Sequence, residues 1–378
     1  MYLDGDQNDM QSDFLTMFEK LITYGVGSND HVNIIIQFDR IPGGLKTYGG
    51  WTICHRFYYT PKMEPTEQNA IADWGDGAGG REVDMTAPET LTNFVNWATE
   101  NYPAEHYALV LADHGFGWKG LFMDVTNSGN QMPVKQIGEA LDAVVEHIDL
   151  LALDACLMQT IEVAYQIRGC GAGLMVGSEN PGEAWPLWDT IAALVKNPDM
   201  VPLGLGKTII DNYISCHSDK PGVTLSMLNL ADVQKLTDAF VDLNESLMDK
   251  GDPVPQIKAN AQKVMNLIDE AILYQRYGSE WDPIGIGGLS ICFPMYYVQS
   301  EPCDPRDMVK NFYLEEIIDF AGESLWRKCM MRCLGGPMEP PPFPISPLIY
   351  SARNKMKNFD QSNNIDLYAF CKQLTLSQ

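Results

Sequence analysis

The chain has 378 residues, enough for one large α/β domain or two modest ones, and its 45% apolar and 20% charged residues are ordinary globular composition. Twenty-six Lys and Arg against fifty Asp and Glu leave a formal charge of −24, which repels nucleic acid and anionic lipid and favours cationic partners such as basic peptides, although solubility alone also accounts for it. No stretch approaches the ~20 apolar residues needed to cross a bilayer, and Met1 runs straight into the acidic Asp4-Gly5-Asp6 turn, with neither the basic region nor the apolar core of a secretion signal.

After that opening, Met10, Phe14, Phe18, Leu21 and Ile22 recur at helical spacing, and the run stops at Gly25. His31 to Phe38 reads as a buried strand rich in β-branched residues, closed by the Pro42-Gly43-Gly44 turn. Residues 51 to 59 alternate loosely, as an edge strand or hairpin does, and 60 to 85 read as loop. Thr86, Pro88 and Glu89 open a helix whose Leu91, Phe94, Val95 and Ala98 line one face. Next comes Tyr107-Ala-Leu-Val-Leu-Ala-Asp113-His114-Gly115, an apolar run of strand length that ends at an imidazole. Gly117 to Asn130 reads as loop, and Val134, Ile137, Leu141, Val144 and Val145 mark a helix. A second apolar run, Ile148-Asp-Leu-Leu-Ala-Leu-Asp154-Ala155-Cys156, ends at a thiol.

Strand, helix, strand implies a right-handed crossover between parallel strands, so His114 and Cys156 arrive at the same rim of a sheet. Leu157, Ile161, Ala164 and Ile167 predict a helix directly after Cys156, with the thiol near its N-terminal end. Gly173 to Ser178, Val223 to Asn229 and Gly288 to Phe293 supply further strands, with a helix over 203 to 216. The predicted fold is a three-layer α/β/α sandwich around a mostly parallel sheet. Pro337 to Pro347 reads as an extended surface segment, since Pro continues neither a helix nor a central strand.

A neutral thiol is a poor nucleophile, so Cys156 needs His114 as base toward the thiol and as acid toward a departing amine. Gly115, without a Cβ, admits a substrate carbonyl, and its N–H with that of Cys156 can form an oxyanion hole. Asp154 lies two residues before Cys156 and faces the same side of an extended strand, where its carboxylate can pair with a substrate Arg or Lys or else cap a backbone turn. Glu179 and Glu183, flanked by Trp185 and Trp188, are further candidates for that pocket.

Competing signatures are weak. There is no His-Glu-x-x-His helix and no Gly-x-Ser-x-Gly elbow, and Gly285-x-Gly287-Gly288 lacks a strand-to-helix setting. Cys329-x3-Cys333 has no second ligand pair, so no metal site is expected; Asp4, Asp6, Asn8 and Asp9 alternate as calcium ligands do, but without the Gly and Glu of an EF-hand loop they read as a turn.

The His-Gly and Asp-Ala-Cys strand ends resemble those of the clostripain-like cysteine peptidases, relatives of caspases, gingipains and legumain. The resemblance extends to Tyr2-Leu-Asp-Gly5-Asp6-Gln-Asn8, to Val32-Asn-Ile-Ile-Ile-Gln-Phe-Asp39-Arg40, to Leu157 through Tyr165, and to Gly288-Leu-Ser-Ile-Cys-Phe-Pro294. It implies a caspase-like peptidase domain over 1–295 and a C-terminal extension, 296–378, packed on it. The Ile349 to Phe370 segment resembles a piece that in the family usually precedes Gly288-Leu-Ser-Ile, so either the chain is permuted relative to its relatives, or the residue order does not follow the genetic one, or the likeness is accidental. The implied activity is hydrolysis after Arg or Lys through a His114–Cys156 dyad and an acyl-thioester, with Asp154 tied to basic specificity. No cofactor is expected for the chemistry, although calcium remains open. The resemblance also implies a bacterial protein, secreted or at the cell envelope, with a cytoplasmic location left open by the missing signal. Two rival readings keep the same fold: an inactive binding or scaffold protein, and a peptide ligase using the same dyad.

Overall fold

The computed structural model describes residues 1–220, 222–249, 254–278, 287–292, 313–314, 318–333 and 364–376. Strands β1 (Tyr2–Gly5), β2 (Ile35–Arg40), β3 (His55–Tyr58) and β4 (Ala108–Ala112) precede a small separate hairpin of β5 (Leu121–Asp124) and β6 (Asn130–Met132). Then come β7 (Ile148–Asp154), β8 (Ala172–Gly177), β9 (Thr224–Asn229) and β10 (Ile272–Tyr277). The main sheet has the order β10-β9-β8-β7-β4-β1-β2-β3. Its centre, from β8 through β2, is parallel, and the sandwich is of the mostly parallel α/β/α kind expected.

Side-chain alternation divides the core. Leu109, Leu111, Leu151 and Leu153 belong to one buried cluster, with side chains of α2 (Pro88–Asn101), α3 (Val134–Asp142) and α4 (Ile161–Ile167). Val110, Ala112, Leu150 and Ala152 face the other cluster, formed with α1 (Asn8–Tyr24), α5 (Leu187–Lys196) and α6 (Pro202–Cys216). The first layer is extended by α7 (Val233–Met248) and α8 (Val254–Ala271). Helix α1 buries Phe14, Phe18 and Leu21 and ends at Gly25, whose φ of 64° lets its N–H reach the carbonyls of Leu21 and Ile22.

The strands at one edge depart from the parallel centre: β9 runs antiparallel to β8, and β10, not among the predicted strands, runs antiparallel to β9. Three expectations need correction. The Gly117 to Asn130 segment is not loop throughout: it holds a 3₁₀ turn at Gly117–Lys119 and strand β5, with Trp118, Leu121 and Phe122 buried. Helix α3 ends at Asp142, where Asn96 accepts the Val145 N–H at 2.9 Å and donates to the Ala143 carbonyl at 3.3 Å, which leaves Val145 83% exposed. The Gly288 to Phe293 strand contributes Ser290–Cys292 (β11) to a two-stranded sheet with Asn364–Asp366 (β12) instead of joining the main sheet; Phe293 lies outside the described residues.

The described part of the C-terminal region shares the first cluster. Helices α9 (Asp319–Glu323), α10 (Trp326–Cys333) and α11 (Leu367–Leu376) bury Phe320, Trp326 and Phe370 there. Trp326 Nε1 donates to the Cys292 carbonyl at 2.8 Å, and Tyr313 Oη donates to the buried Glu162 at 3.0 Å. The Pro337 to Pro347 segment lies outside the described residues.

Candidate active site

The parallel register of β4 and β7 decides the geometry. Ala112 pairs with Asp154, and the Asp113 N–H reaches the Asp154 carbonyl at 3.4 Å, so His114 and Cys156 each follow a paired position by two residues. By parity they continue the face of Val110, Ala112, Leu150 and Ala152, the face covered by α1, α5 and α6. Gly115 is wedged against the Cys156 peptide: a Cβ there would lie 2.1 Å from the Cys156 carbonyl oxygen and 2.9 Å from its nitrogen. Only glycine allows this approach.

His114 is held from behind. Its carbonyl accepts the Phe122 N–H at 3.1 Å, and the preceding Asp113 carboxylate accepts the Met123 N–H at 2.6 Å, so β5 fixes the strand end. Burial pushes Asp113 up to about 8, against the lowering effect of the His114 and Met123 N–H groups that it accepts. Its neighbour Asp4 is raised as well, chiefly by burial and then by Asp113. Asp4 Oδ2 and Asp113 Oδ1 are otherwise unbonded, which a single shared proton satisfies. Imidazole Nε2 meets Asp9 Oδ2, from the first turn of α1, at 3.3 Å.

The predicted helix after Cys156 begins later. Leu157 has φ 66°, and its N–H and that of Gln159 bond to the Asn180 and Ser178 carbonyls at 3.2 and 2.9 Å, so the chain makes a turn before Thr160 caps α4. The thiol therefore has no helix N-terminus behind it. Instead Sγ accepts the Gly182 N–H at 3.4 Å and lies 3.9 Å from the Gly182 carbonyl. Burial raises the thiol above its ordinary value; the Gly182 N–H lowers it, and Asp154 and Glu183 raise it further.

Asp154 is 8% exposed and accepts the backbone N–H of Trp185; among the described residues no cationic side chain pairs with it. Burial holds its carboxyl well above the usual carboxylate range, and Asp13 of α1 adds to the rise. Trp185 is buried in the second cluster, 6.1 Å from the Tyr213 ring, and so walls the site as core. Glu183 is half-exposed and pairs with Lys220 at 3.3 Å. Glu179 stands apart from these. It is 1% exposed, and its carboxyl bonds that of Asp366, so it joins β8 to the C-terminal segment. Both carboxyls are raised, first by burial, Asp366 to about 6.

Of the Asp4, Asp6, Asn8 and Asp9 series, the Asn8 side chain lies outside what the structure describes, and the acids turn to different partners. Asp6 accepts the Thr126 N–H, and Asp9 turns to His114. The carboxylates that do converge are Asp39, Glu82 and Asp124, whose oxygens lie within 4.8 Å of one another, a hard-oxygen set that suits calcium or magnesium. The sequence missed them because they come from three separate segments. Asp9 and Asp13 were missed for another reason: acids early in a surface helix look like ordinary dipole partners.

A mostly parallel α/β/α sandwich that carries a thiol and an imidazole beyond adjacent strand ends, beside a buried carboxylate, has the architecture of the caspase-like cysteine hydrolases. Residues 1–330 match the sequence profile of the Clostripain family, and the chain belongs to that family of cysteine peptidases. It is 30% identical to clostripain from Hathewaya histolytica over 193 residues, which are 46% of this chain and only 36% of that protein. The fold is shared with a secreted C11 cysteine protease from Bacteroides thetaiotaomicron in complex with an irreversible peptide inhibitor (TM-score 0.58, 18% identity, 86% of this chain and 98% of that one). It is also shared with an inactive zymogen C11 protease from Parabacteroides distasonis (TM-score 0.56, 18% identity, 85% and 96%).

Proposed function

We propose that this protein is a cysteine endopeptidase that hydrolyses peptide bonds after Arg or Lys. The observation that carries the reading is the buried Asp154 beside Cys156, which has no cationic partner among the described residues, on the strand that neighbours the one ending at His114. A substrate guanidinium or ammonium would supply the missing counter-charge, in a setting where such a pair is charge-assisted and poorly screened.

In this mechanism His114 takes the Cys156 proton, and the thiolate attacks the scissile carbonyl carbon. The oxyanion accepts hydrogen bonds from the N–H groups of Gly115 and Cys156. Collapse breaks the C–N bond, His114 gives its proton to the departing amine, and an acyl-thioester remains on Cys156. Water, deprotonated by His114, attacks that thioester and releases the carboxylate product with the thiol restored. No cofactor enters these steps. Peptides and proteins carrying exposed basic residues are the proposed substrates, and the description of the Bacteroides relative as secreted supports export of this chain. Among the described residues, no helix is long and apolar enough to cross a membrane.

An electrophilic probe bearing Arg, run beside peptides that differ only at the residue before the cut, tests the reading. Cys156→Ala and His114→Ala should each abolish labelling and turnover, and the double variant should lose little more, because residues acting as one unit are not additive. Near-wild-type turnover in either single variant would remove the assignment, and absence of labelling in the wild type would favour a binding protein.

A further inference from the structure

We infer that Asp9 is a positioning residue for His114: a carboxylate supplied by the first turn of α1 that holds the imidazole by Nε2 and balances its positive charge while Nδ1 exchanges protons with the reacting groups. The inference rests on the peptidase reading and adds a member to its machinery.

The geometry starts with the 3.3 Å contact between His114 Nε2 and Asp9 Oδ2. The two groups come from distant segments, yet both are fixed to the same frame. Gln7 Nε2 donates to the Met123 carbonyl at 2.9 Å, and the Asp6 carboxylate accepts the Thr126 N–H, so the β1–α1 turn is tied to the β5 hairpin. The same hairpin holds the His114 carbonyl through Phe122 and the Asp113 carboxylate through Met123. Asp9 follows that turn by only two residues, so carboxylate and imidazole are placed by one set of hydrogen bonds rather than by a chance meeting of two surface side chains.

The helix dipole alone would favour an acid at this position in any orientation. It does not account for a carboxylate turned onto the one imidazole at the strand rim. The chemistry of the site supplies a reason. When the Cys156 proton moves to His114, a thiolate and an imidazolium form together. The thiolate is disfavoured by its own burial and by the nearby carboxylates Asp154 and Glu183. A carboxylate on the far nitrogen of the imidazolium stabilises the other half of that ion pair and fixes the ring plane, and so offsets part of the penalty. Asp13, one turn further along α1, acts on His114 from the same side but stands partly buried and without a comparable contact. The charged and titratable groups that act on His114 directly are therefore Asp9 and Asp13 from α1 and Asp113 from its own strand end, while Glu183 acts on Asp13 and on the Cys156 thiol.

The ion pair is half open to solvent, with His114 33% and Asp9 67% exposed at the side chain, so its contribution to stability is small and its effect should appear in rate. The test compares kcat and KM of wild type, Asp9→Asn, Asp9→Glu, Asp13→Asn and His114→Ala with a good peptide substrate. Asp9→Asn should lower kcat roughly three- to thirtyfold with KM within about twofold of wild type, and leave Tm unchanged. Asp9→Glu should recover part of kcat, and Asp13→Asn should not reproduce the loss of kcat.

An unchanged kcat in Asp9→Asn, while His114→Ala is inactive, overturns the inference and leaves the peptidase reading standing. A raised KM at unchanged kcat also overturns it and assigns Asp9 to substrate binding. A turnover-competent His114→Ala removes the peptidase reading itself, so the two failures cannot be confused.

Discussion

Asp154→Asn should make the protein more stable and a worse enzyme for basic substrates. The wild-type carboxyl is 8% exposed, accepts one N–H from Trp185, and has no cation beside it among the described residues. Its folded-state proton affinity is raised by burial above that of the unfolded chain, so its favourable contribution is full below the ordinary carboxylate range and is lost as pH rises through the raised folded value. As pH rises past the ordinary carboxylate range, that raised proton affinity becomes a liability. Replacing a buried charge by a neutral group of the same shape stabilises by about 1–4 kcal/mol, from which an orphaned amide N–H subtracts about 1 kcal/mol or more. Asparagine keeps the acceptor for Trp185, so a net gain near 1–2 kcal/mol is expected at pH 8, shrinking toward zero near pH 4. Urea unfolding in a Cys156→Ala background, which prevents self-digestion, measures it. On the activity side, loss of the charged pair should lower kcat/KM for Arg and Lys substrates by about 2–4 kcal/mol, roughly 30- to 1000-fold, and leave an uncharged substrate little affected. A variant that is less stable than wild type at pH 8 and retains its preference for Arg over Ala would refute the reasoning and leave Asp154 as a structural cap.

Two further outcomes are expected. Gly115→Ala should lose turnover and also about 1–3 kcal/mol of stability, because its Cβ would sit 2.1 Å from the Cys156 carbonyl oxygen; a stable, fully active variant would show that the close approach is not required. A small alkylguanidine, too short to be cleaved, should speed alkylation of Cys156 by iodoacetamide in the wild type and fail to do so in Asp154→Asn, read by mass spectrometry at that residue because Cys216 is exposed as well. Equal acceleration in both proteins, or none in either, would disconnect the pocket from the thiol.

The sequence carried the centre of the fold well, because buried parallel strands read as continuous apolar runs and the two that matter end in His114 and Cys156. Helices α1 and α2 were equally plain, with Gly25 and Pro88 as punctuation. What failed was anything decided by distant pairing. The direction of β9 depends on which way its partner β8 runs, and β11 pairs with β12 across more than seventy positions. Apolar spacing after Cys156 suggested a helix from Leu157, but the backbone bonds of Leu157 and Gln159 go to the loop that follows β8, and helix begins only at Ile161. For the site, residue type and strand parity located Asp154. Glu179 has the same chemistry as Glu183, yet pairing with Asp366 removes it from the cleft, and nothing in its local sequence distinguishes the two.

The acidity of the chain acquires a local meaning at this rim. A formal charge of −24 spread evenly would serve solubility, yet Asp9, Asp13, Asp154 and Glu183 all act on the imidazole, on the thiol or on one another. For a thiol nucleophile this is an adverse field, since every nearby carboxylate disfavours thiolate. Part of the penalty is offset when the proton removed from Cys156 moves to His114, because Asp9 and Asp13 favour the imidazolium. A further part is offset on the proposed reading when a basic side chain fills the pocket and neutralises Asp154, while burial and Glu183 keep their share. On that reading the carboxylate that selects the substrate also adds, after burial, to the thiol's hold on its proton, so specificity and nucleophile activation are coupled through Asp154.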